Sequence, residues 1–218
     1  RKDVILSKLN ESQLESLKNA VSRYHASLAG SPAEAYLAQR SLEPERVSQF
    51  RFGYVEDPLP EHEKHRGKLA IPYLRKHPRY GWMCVSIRFR DLEGNKPKYA
   101  TLSGDRPRLF NTIALTEPGF SVGVSEGEID AVTATVAGLP TVGVPGATSW
   151  QDHWCEMFRG YKNVFVFTDG DAPGEKLGRT IAKGLDNARI IHMPDGEDVN
   201  SIFQSQGEEA LQRLWKEY

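Results

Sequence analysis

The sequence predicts an α/β fold, a parallel sheet flanked by helices and preceded by a smaller mixed α+β subdomain. Beyond Pro118-Gly119, short apolar runs alternate four times with helical patterns, the order that builds a parallel sheet covered by helices. Between Trp82 and Arg90 the period is two instead: Met83, Val85, Ile87 and Phe89 alternate with Cys84, Ser86, Arg88 and Arg90, as in a half-buried strand. Near the start, apolar residues recur at steps of three and four, as on one helix face. The 218 residues, 39% hydrophobic and 26% charged, suffice for one globular unit or two small subdomains sharing a chain.

Taken in order, Ser12 with Glu15 reads as a capping box, and Leu14, Leu17, Val21, Tyr24 and Leu28 form the apolar stripe of a helix that stops at Gly30. A second helix begins with Ser31 as N-cap, Pro32 at its first position and Glu34 closing the box, and runs to about Arg40. A short third covers Pro44 to Phe50. Strands are expected at Lys68–Arg75, Trp82–Arg90 and, after the turn Glu93-Gly94-Asn95, around Lys98–Leu102. The strand–helix pairs that follow are Ser121–Ser125 with Glu128–Ala137, Pro140–Val144 with Gln151–Phe158, Val164–Thr168 with Gly174–Leu185, and Arg189–Met193 with a terminal helix from Val199. The Glu117–Gly119 region divides residues 1–118 from 119–218.

The longest uncharged stretch, Ala131 to Gln151, is interrupted by Gly138, Pro140, Gly143, Pro145 and Gly146, so no membrane span is expected. Two cysteines, Cys84 and Cys155, are too few for a disulfide framework and lack metal-ligand spacing, which predicts a cytoplasmic location and no zinc ribbon. The opening Arg-Lys-Asp reads as a piece cut from something longer.

Charge is unevenly shared. Residues 1–110 hold 20 Lys+Arg against 13 Asp+Glu, and residues 111–218 hold 8 against 16. Between Lys64 and Arg108, 12 basic residues face 3 acids, a surplus suited to a phosphate backbone, although charge runs are more often plain solvated faces. Strand alternation puts Ser86, Arg88 and Arg90 on one face.

On the parallel-sheet frame the acids fall at strand ends. Glu126 follows the first strand, Asp169 and Asp171 the third, and Asp195 and Asp198 the fourth, while Asp130 sits one helical turn after Glu126. Carboxylates so gathered repel one another unless a hard cation neutralises them, and Mg²⁺ (Mn²⁺ as a substitute) fits oxygen ligands. In Asp169-Gly170-Asp171 the glycine is expected to let a turn bring both carboxylates toward one ion. Each acid alone is more simply a helix N-cap; together they suggest phosphoryl or nucleotidyl transfer beside a basic face.

Ser125-Glu126-Gly127-Glu128-Ile129-Asp130, Asp169-Gly170-Asp171-Ala172-Pro173-Gly174 and Pro194-Asp195-Gly196-Glu197-Asp198 resemble the three motifs of TOPRIM domains. Tyr36-Leu37-Ala38-Gln39-Arg40, Phe50-Arg51-Phe52-Gly53-Tyr54, Arg66-Gly67-Lys68, Arg90, Pro97-Lys98-Tyr99 and Leu109-Phe110 resemble the upstream part of a DnaG-type primase catalytic core. The versions Glu-Gly-Glu-Ile-Asp and Asp198-Val199-Asn200 are most similar to phage primase and primase–helicase proteins. The resemblance implies a TOPRIM-type sheet and a DNA primase, a DNA-directed RNA polymerase making short RNA primers by Mg²⁺-dependent nucleotidyl transfer in DNA replication. It implies Asp169, Asp171 and Asp198 as metal ligands, Glu126 as general base or ligand, and Asp130 as a second catalytic acid. Arg66, Lys68, Arg90 and Lys98 would grip template or nucleotide, with Arg88 added from strand alternation. The implied partners are a single-stranded DNA template, ribonucleoside triphosphates, the RNA primer and a replicative helicase. Asn200 departs from the acid usual in cellular primases. The competing readings are a TOPRIM nuclease, and a non-catalytic helicase-docking module using the helix Ser12–Leu28.

Among weaker signals, His62 and His65 are expected to be solvated, Cys84 to be packing, and Trp82, Phe89 and Tyr99 to be strand core before they are base-stacking residues. The turn Gly143-Val144-Pro145-Gly146 is expected beside the nucleotide pocket.

Overall fold

The computed structural model describes residues 9–77, 81–116 and 119–217. Among these, the chain up to Glu34 joins Arg51–Asp105 in one compact unit, and Ala35–Phe50 joins the chain from Arg106 onward in a second. The sequence boundary at Glu117–Gly119 includes Glu117 and Pro118, which lie outside the described residues.

In the first unit, helix α1 (Glu11–Ala26) lies on an antiparallel sheet of order β1-β2-β3-β4: Gly53–Tyr54, Leu69–His77, Gly81–Arg90 and Tyr99–Thr101. The N-cap of α1 is Asn10, not Ser12: Asn10 accepts from the Gln13 N–H at 2.8 Å while Gln13 Oε1 accepts from the Asn10 N–H at 2.9 Å. Asn10-x-x-Gln13 is an equally good box placed two residues earlier, and using it adds hydrogen-bonded helix. Leu17, Ala20 and Tyr24 of α1 pack on Val55, Ala70, Cys84, Ile87 and Phe89. The approach is so close that a Cβ on Gly53 would lie 2.5 Å from the Tyr24 carbonyl carbon.

Strict alternation along β3 fails at one point. Tyr73 pairs with Ser86 and the next residue, Leu74, pairs with Cys84, so Val85 is an extra, bulged residue. The bulge turns Cys84 onto the α1 face with Ile87 and Phe89 and leaves Met83 and Val85 only half-buried. Cys84 packs as expected; burial pushes its thiol up to about 12, which keeps it inert.

His62 and His65 are buried rather than solvated. The Tyr24 hydroxyl accepts from the Leu59 N–H and hydrogen-bonds His62 Nδ1 at 2.7 Å. The His65 ring stacks on Phe89 with centroids 3.9 Å apart, and among the described residues neither of its nitrogens has a hydrogen-bond partner. Their loop is charged, but its short 3₁₀ turn Glu63–His65 points both rings inward.

In the second unit, α2 (Pro32–Gln39, which begins in the first unit) and α3 (Pro44–Val47), continued by a 3₁₀ turn to Phe50, precede four strands, β5 (Ser121–Glu126), β6 (Thr141–Val144), β7 (Asn163–Gly170) and β8 (Ala188–Asp195). Ser31 caps α2 as expected, accepting from the Glu34 N–H at 3.2 Å, but the Glu34 carboxylate reaches back one residue further, to the Gly30 N–H. The strands form one parallel sheet of order β6-β5-β7-β8. Alternation along β7 sends Val164 and Val166 to one face, with Leu177, Ile181 and Leu185 of the α5 segment (helix Ala172–Gly184). Phe165 and Phe167 go to the other, with residues of α4 (Glu128–Val136) and α6 (Val199–Lys216, kinked at Gly207). The helix expected at Gln151–Phe158 is a 3₁₀ segment, Asp152–Met157; six residues give too few i→i+4 bonds to offset α-helix nucleation.

Burial, then the charges of Lys68 and Lys64 and neighbouring His62, hold the His65 imidazole at about 4 against 6.5 in the unfolded chain. The unfolded chain therefore binds the extra proton first, so stability is complete above pH 6.5, falls as pH drops toward 4 and then levels off. Urea unfolding at stepped pH is expected to show a loss of up to roughly 3 kcal/mol across that window, largely removed by His65→Phe, which keeps the stack on Phe89.

Candidate functional site

Because the sheet is parallel, the carboxyl ends of β5, β7 and β8 share one edge; β5 and β8 end at Glu126 and Asp195, and Asp169 and Asp171 flank Gly170, the last residue of β7. Glu126 is the last residue of β5. Its Oε1 accepts from the Ala147 N–H at 3.2 Å, and its Oε2 is buried with no hydrogen-bond partner among the described residues. The turn after β6 supplies that N–H: the Gly127 and Gly146 N–H groups both donate to the Val144 carbonyl, which folds Ala147 back toward Glu126. Burial and the nearby Asp171 charge push the Glu126 carboxyl up, against the pull of the Ala147 N–H.

Asp169 and Asp171 lie at the end of β7. Gly170 serves close packing rather than a turn: it pairs with Asp195 of β8, and a Cβ there would lie 2.2 Å from the Pro194 carbonyl oxygen. Gly174 is held similarly, its absent Cβ 2.8 Å from the Asp169 carbonyl oxygen. Asp171 caps α5, its Oδ1 accepting from the Gly174 N–H at 2.8 Å, with Pro173 in the first turn, where no helical N–H is needed. Asp198 caps α6 in the same way, accepting from the Ser201 N–H at 2.7 Å. The simplest role of an acid at a helix start therefore holds for both, and occupies one oxygen of each.

Asp130 is buried in the first turn of α4. Burial first, then the Asp198 and Asp169 carboxylates, push its carboxyl well above the ordinary range, opposed by the Asn200 N–H and Arg40. Its Oδ1 accepts from the Asn200 N–H at 3.0 Å. Glu126 thus feels Asp171, and Asp130 feels Asp169 and Asp198. Among the described residues, no three His, Cys, Asp or Glu side chains are grouped closely enough to hold a metal ion.

Asn200 is fully buried. Its Nδ2 donates to the Arg40 carbonyl at 2.9 Å and to Thr133 Oγ1 at 3.0 Å, and its Oδ1 accepts from Arg40 Nη1 at 3.2 Å. The side chain is a joint between the end of α2, α4 and α6, and the same residue's N–H holds Asp130. This role, with those of Arg40 and the Ala147 N–H, escapes sequence reasoning, because no spacing rule connects residues 160 positions apart.

The basic residues lie in the first unit. Leu69, Arg90 and Tyr99 stand side by side in the ladder, as do Ile71, Arg88 and Thr101. Lys68 and Lys98, each one residue before its strand, therefore share an end of the sheet with both arginines. Arg88 lies over the Tyr99 ring at 4.4 Å, and Arg90 at 5.0 Å also hydrogen-bonds its hydroxyl. Arg90 is buried, so it braces Tyr99 instead of forming an open surface. Arg66 precedes β2 on a loop, donating to the Glu56 carbonyl. Phe89 is core, Tyr99 half-buried and Trp82 exposed.

The Toprim-like family matches residues 123–203, the segment that carries Glu126, Asp130, Asp169, Asp171, Asp195 and Asp198. The Gene 57 protein of Mycobacterium phage D29 is 54% identical over 147 residues, 67% of this chain and 97% of that protein. The DNA primase of Pasteurella multocida strain Pm70 is 22% identical over 227 residues, 84% of this chain but 38% of the primase. Among solved structures, a DnaG primase catalytic domain bound to single-stranded DNA superposes with a TM-score of 0.75, at 20% identity, covering 93% of this chain and 80% of that one. No helix among the described residues is long and apolar enough to cross a membrane.

Replacing the Asn200 amide by a carboxylate exchanges a buried donor for an acceptor facing the Arg40 carbonyl. Asn200→Asp is expected to cost about 2 kcal/mol or more, read as a lower urea midpoint at unchanged slope.

Proposed function

Since the chain belongs to the family of the Mycobacterium phage D29 Gene 57 protein and carries a Toprim-like segment in the fold of DnaG catalytic cores, we propose that it is the catalytic core of a DNA primase. In this reading it extends RNA on a single-stranded DNA template by nucleotidyl transfer from ribonucleoside triphosphates. The observation that carries the reading is the set of acids on one sheet edge, where burial and then neighbouring carboxylates hold Glu126 and Asp130 above the ordinary carboxylate range, with a buried Glu126 oxygen that has no hydrogen-bond partner among the described residues.

The residues fit a divalent cation. Mutual repulsion among carboxylates is what a hard cation relieves, and Asp171 and Asp198 are held in place by their caps with a second oxygen each. With Asp169 they would hold the ion, for which these carboxylates would have to draw closer than they stand in the structure. Bound Mg²⁺ or Mn²⁺ would neutralise charge developing on the phosphates and lower the pKa of the attacking 3′-hydroxyl. Glu126, its carboxyl already raised, takes the hydroxyl proton at Oε2. Asp130, fastened by the Asn200 N–H, fixes the start of α4 next to that group. Lys68, Arg88, Lys98 and Arg66 bind phosphates of template and nucleotide without reading sequence.

Asp171→Asn keeps a good N-cap while removing the charge, and Asp169→Ala removes a ligand. Both are expected to lower extension of an annealed RNA primer by roughly a hundredfold or more; undiminished product overturns the reading. DNA cleavage without nucleotides would instead point to a nuclease.

A saturating ion also stabilises the fold. At a hundredfold excess over its dissociation constant, Mn²⁺ is expected to add about 2.7 kcal/mol, seen as a higher thermal midpoint in the unaltered chain and absent in Asp171→Asn.

A further inference from the structure

Of the four tryptophans, Trp154 and Trp215 are buried and Trp150 is half-buried, whereas Trp82 is 57% exposed. It stands near the end of the β2–β3 ladder, directly across from Lys76, which is also exposed. Cross-strand partners have Cβ atoms about 5 Å apart, so a flat aromatic face and an ammonium group are presented side by side to solvent. The surrounding sequence has one sign: the 27 residues from Lys64 to Arg90 contain eight Lys and Arg and no Asp or Glu. Among the described residues, neither side chain is part of the core or of the acidic edge.

We propose that the Lys76–Trp82 pair is a binding site for single-stranded nucleic acid, in which an unpaired base stacks on the Trp82 indole while Lys76 contacts the adjoining phosphate. Charge complementarity commits the site to a polyanion. Nearby Met83 and Val85 are only half-buried, but a lone tryptophan beside a lysine is too small an apolar patch for a protein interface. The indole requires a single strand, because a base in a duplex has its faces covered by its neighbours. Stacking accepts any base, so the site holds a strand without choosing its sequence. This inference rests on the primase reading and extends it by a contact located in the first unit.

The test is the affinity of the complete chain for fluorescently labelled oligothymidylate, with EDTA present and nucleotides absent, so that the acidic edge takes no part. Trp82→Ala is expected to weaken binding by about tenfold and Trp82→Phe by much less. Lys76→Ala is expected to lower the slope of log affinity against log salt by about one. In the unaltered chain, oligothymidylate should quench the long-wavelength part of the tryptophan emission, and this quenching should vanish in Trp82→Ala. Thermal midpoints of the variants confirm folding, since both side chains lie in solvent. Equal affinity of Trp82→Ala and the unaltered chain overturns the proposal, as does an equal loss for duplex DNA, or capture of an acidic protein in place of the oligonucleotide. Failure of the unaltered chain to bind overturns it too, and primer extension measured in parallel then decides whether the primase reading falls with it.

Discussion

The constraint on which the second unit depends is the burial of the Asp130 carboxyl in the company of other carboxyls. A lone carboxylate in a protein interior is costly, and Asp169 and Asp198 raise that cost. The chain meets it with one backbone donor, the Asn200 N–H, and with the nearby Arg40 guanidinium. Both sit on the same polar joint. The acidic edge is therefore held by the hydrogen bonds of this joint between α2, α4 and α6.

Helix α6 is central to that support. Helix C-termini leave carbonyls without intrahelical donors, and α6 side chains supply the missing donors for two other helices. Asn200 and Gln204 donate to the Arg40 and Gln39 carbonyls at the end of α2, and Gln212 donates to the Ala137 carbonyl at the end of α4. The strand edge is tightened by a different means, absent side chains. Gly170 and Gly174 let β8 and the start of α5 approach the Asp169 backbone within distances that any Cβ would block. Polar capping and steric closeness together set where the carboxylates stand.

Much of this was legible in the residues. The period change near Pro118-Gly119 marks a parallel sheet, and acids directly after apolar runs fall on its carboxyl edge, because strand direction alone decides which end a residue occupies. Where the reading failed, a non-local contact decided. A bulge at Val85 takes Met83 and Val85 off the core face, and nothing in a period-two pattern announces an inserted residue. His62 and His65 look solvated amid charges, yet Tyr24 and Phe89, far off in sequence, draw them in. Asn200 looks like a lost ligand and is a structural joint. Arg90 follows the alternation and is nonetheless covered by Tyr99.

The division of the chain has its own consequence. The two units exchange the backbone at three points, after Glu34, after Phe50 and after Asp105. The segment carrying Arg40 thus precedes most of the first unit in sequence while folding with the second. A single scission, by protease or by truncation, cannot free either unit from every part of the other. A fragment starting at the acidic motifs would leave Arg40 behind and strip the Asn200 amide of two of its partners. Self-sufficiency of the acidic half is thus denied by connectivity itself, and inheritance of the two units has to be joint.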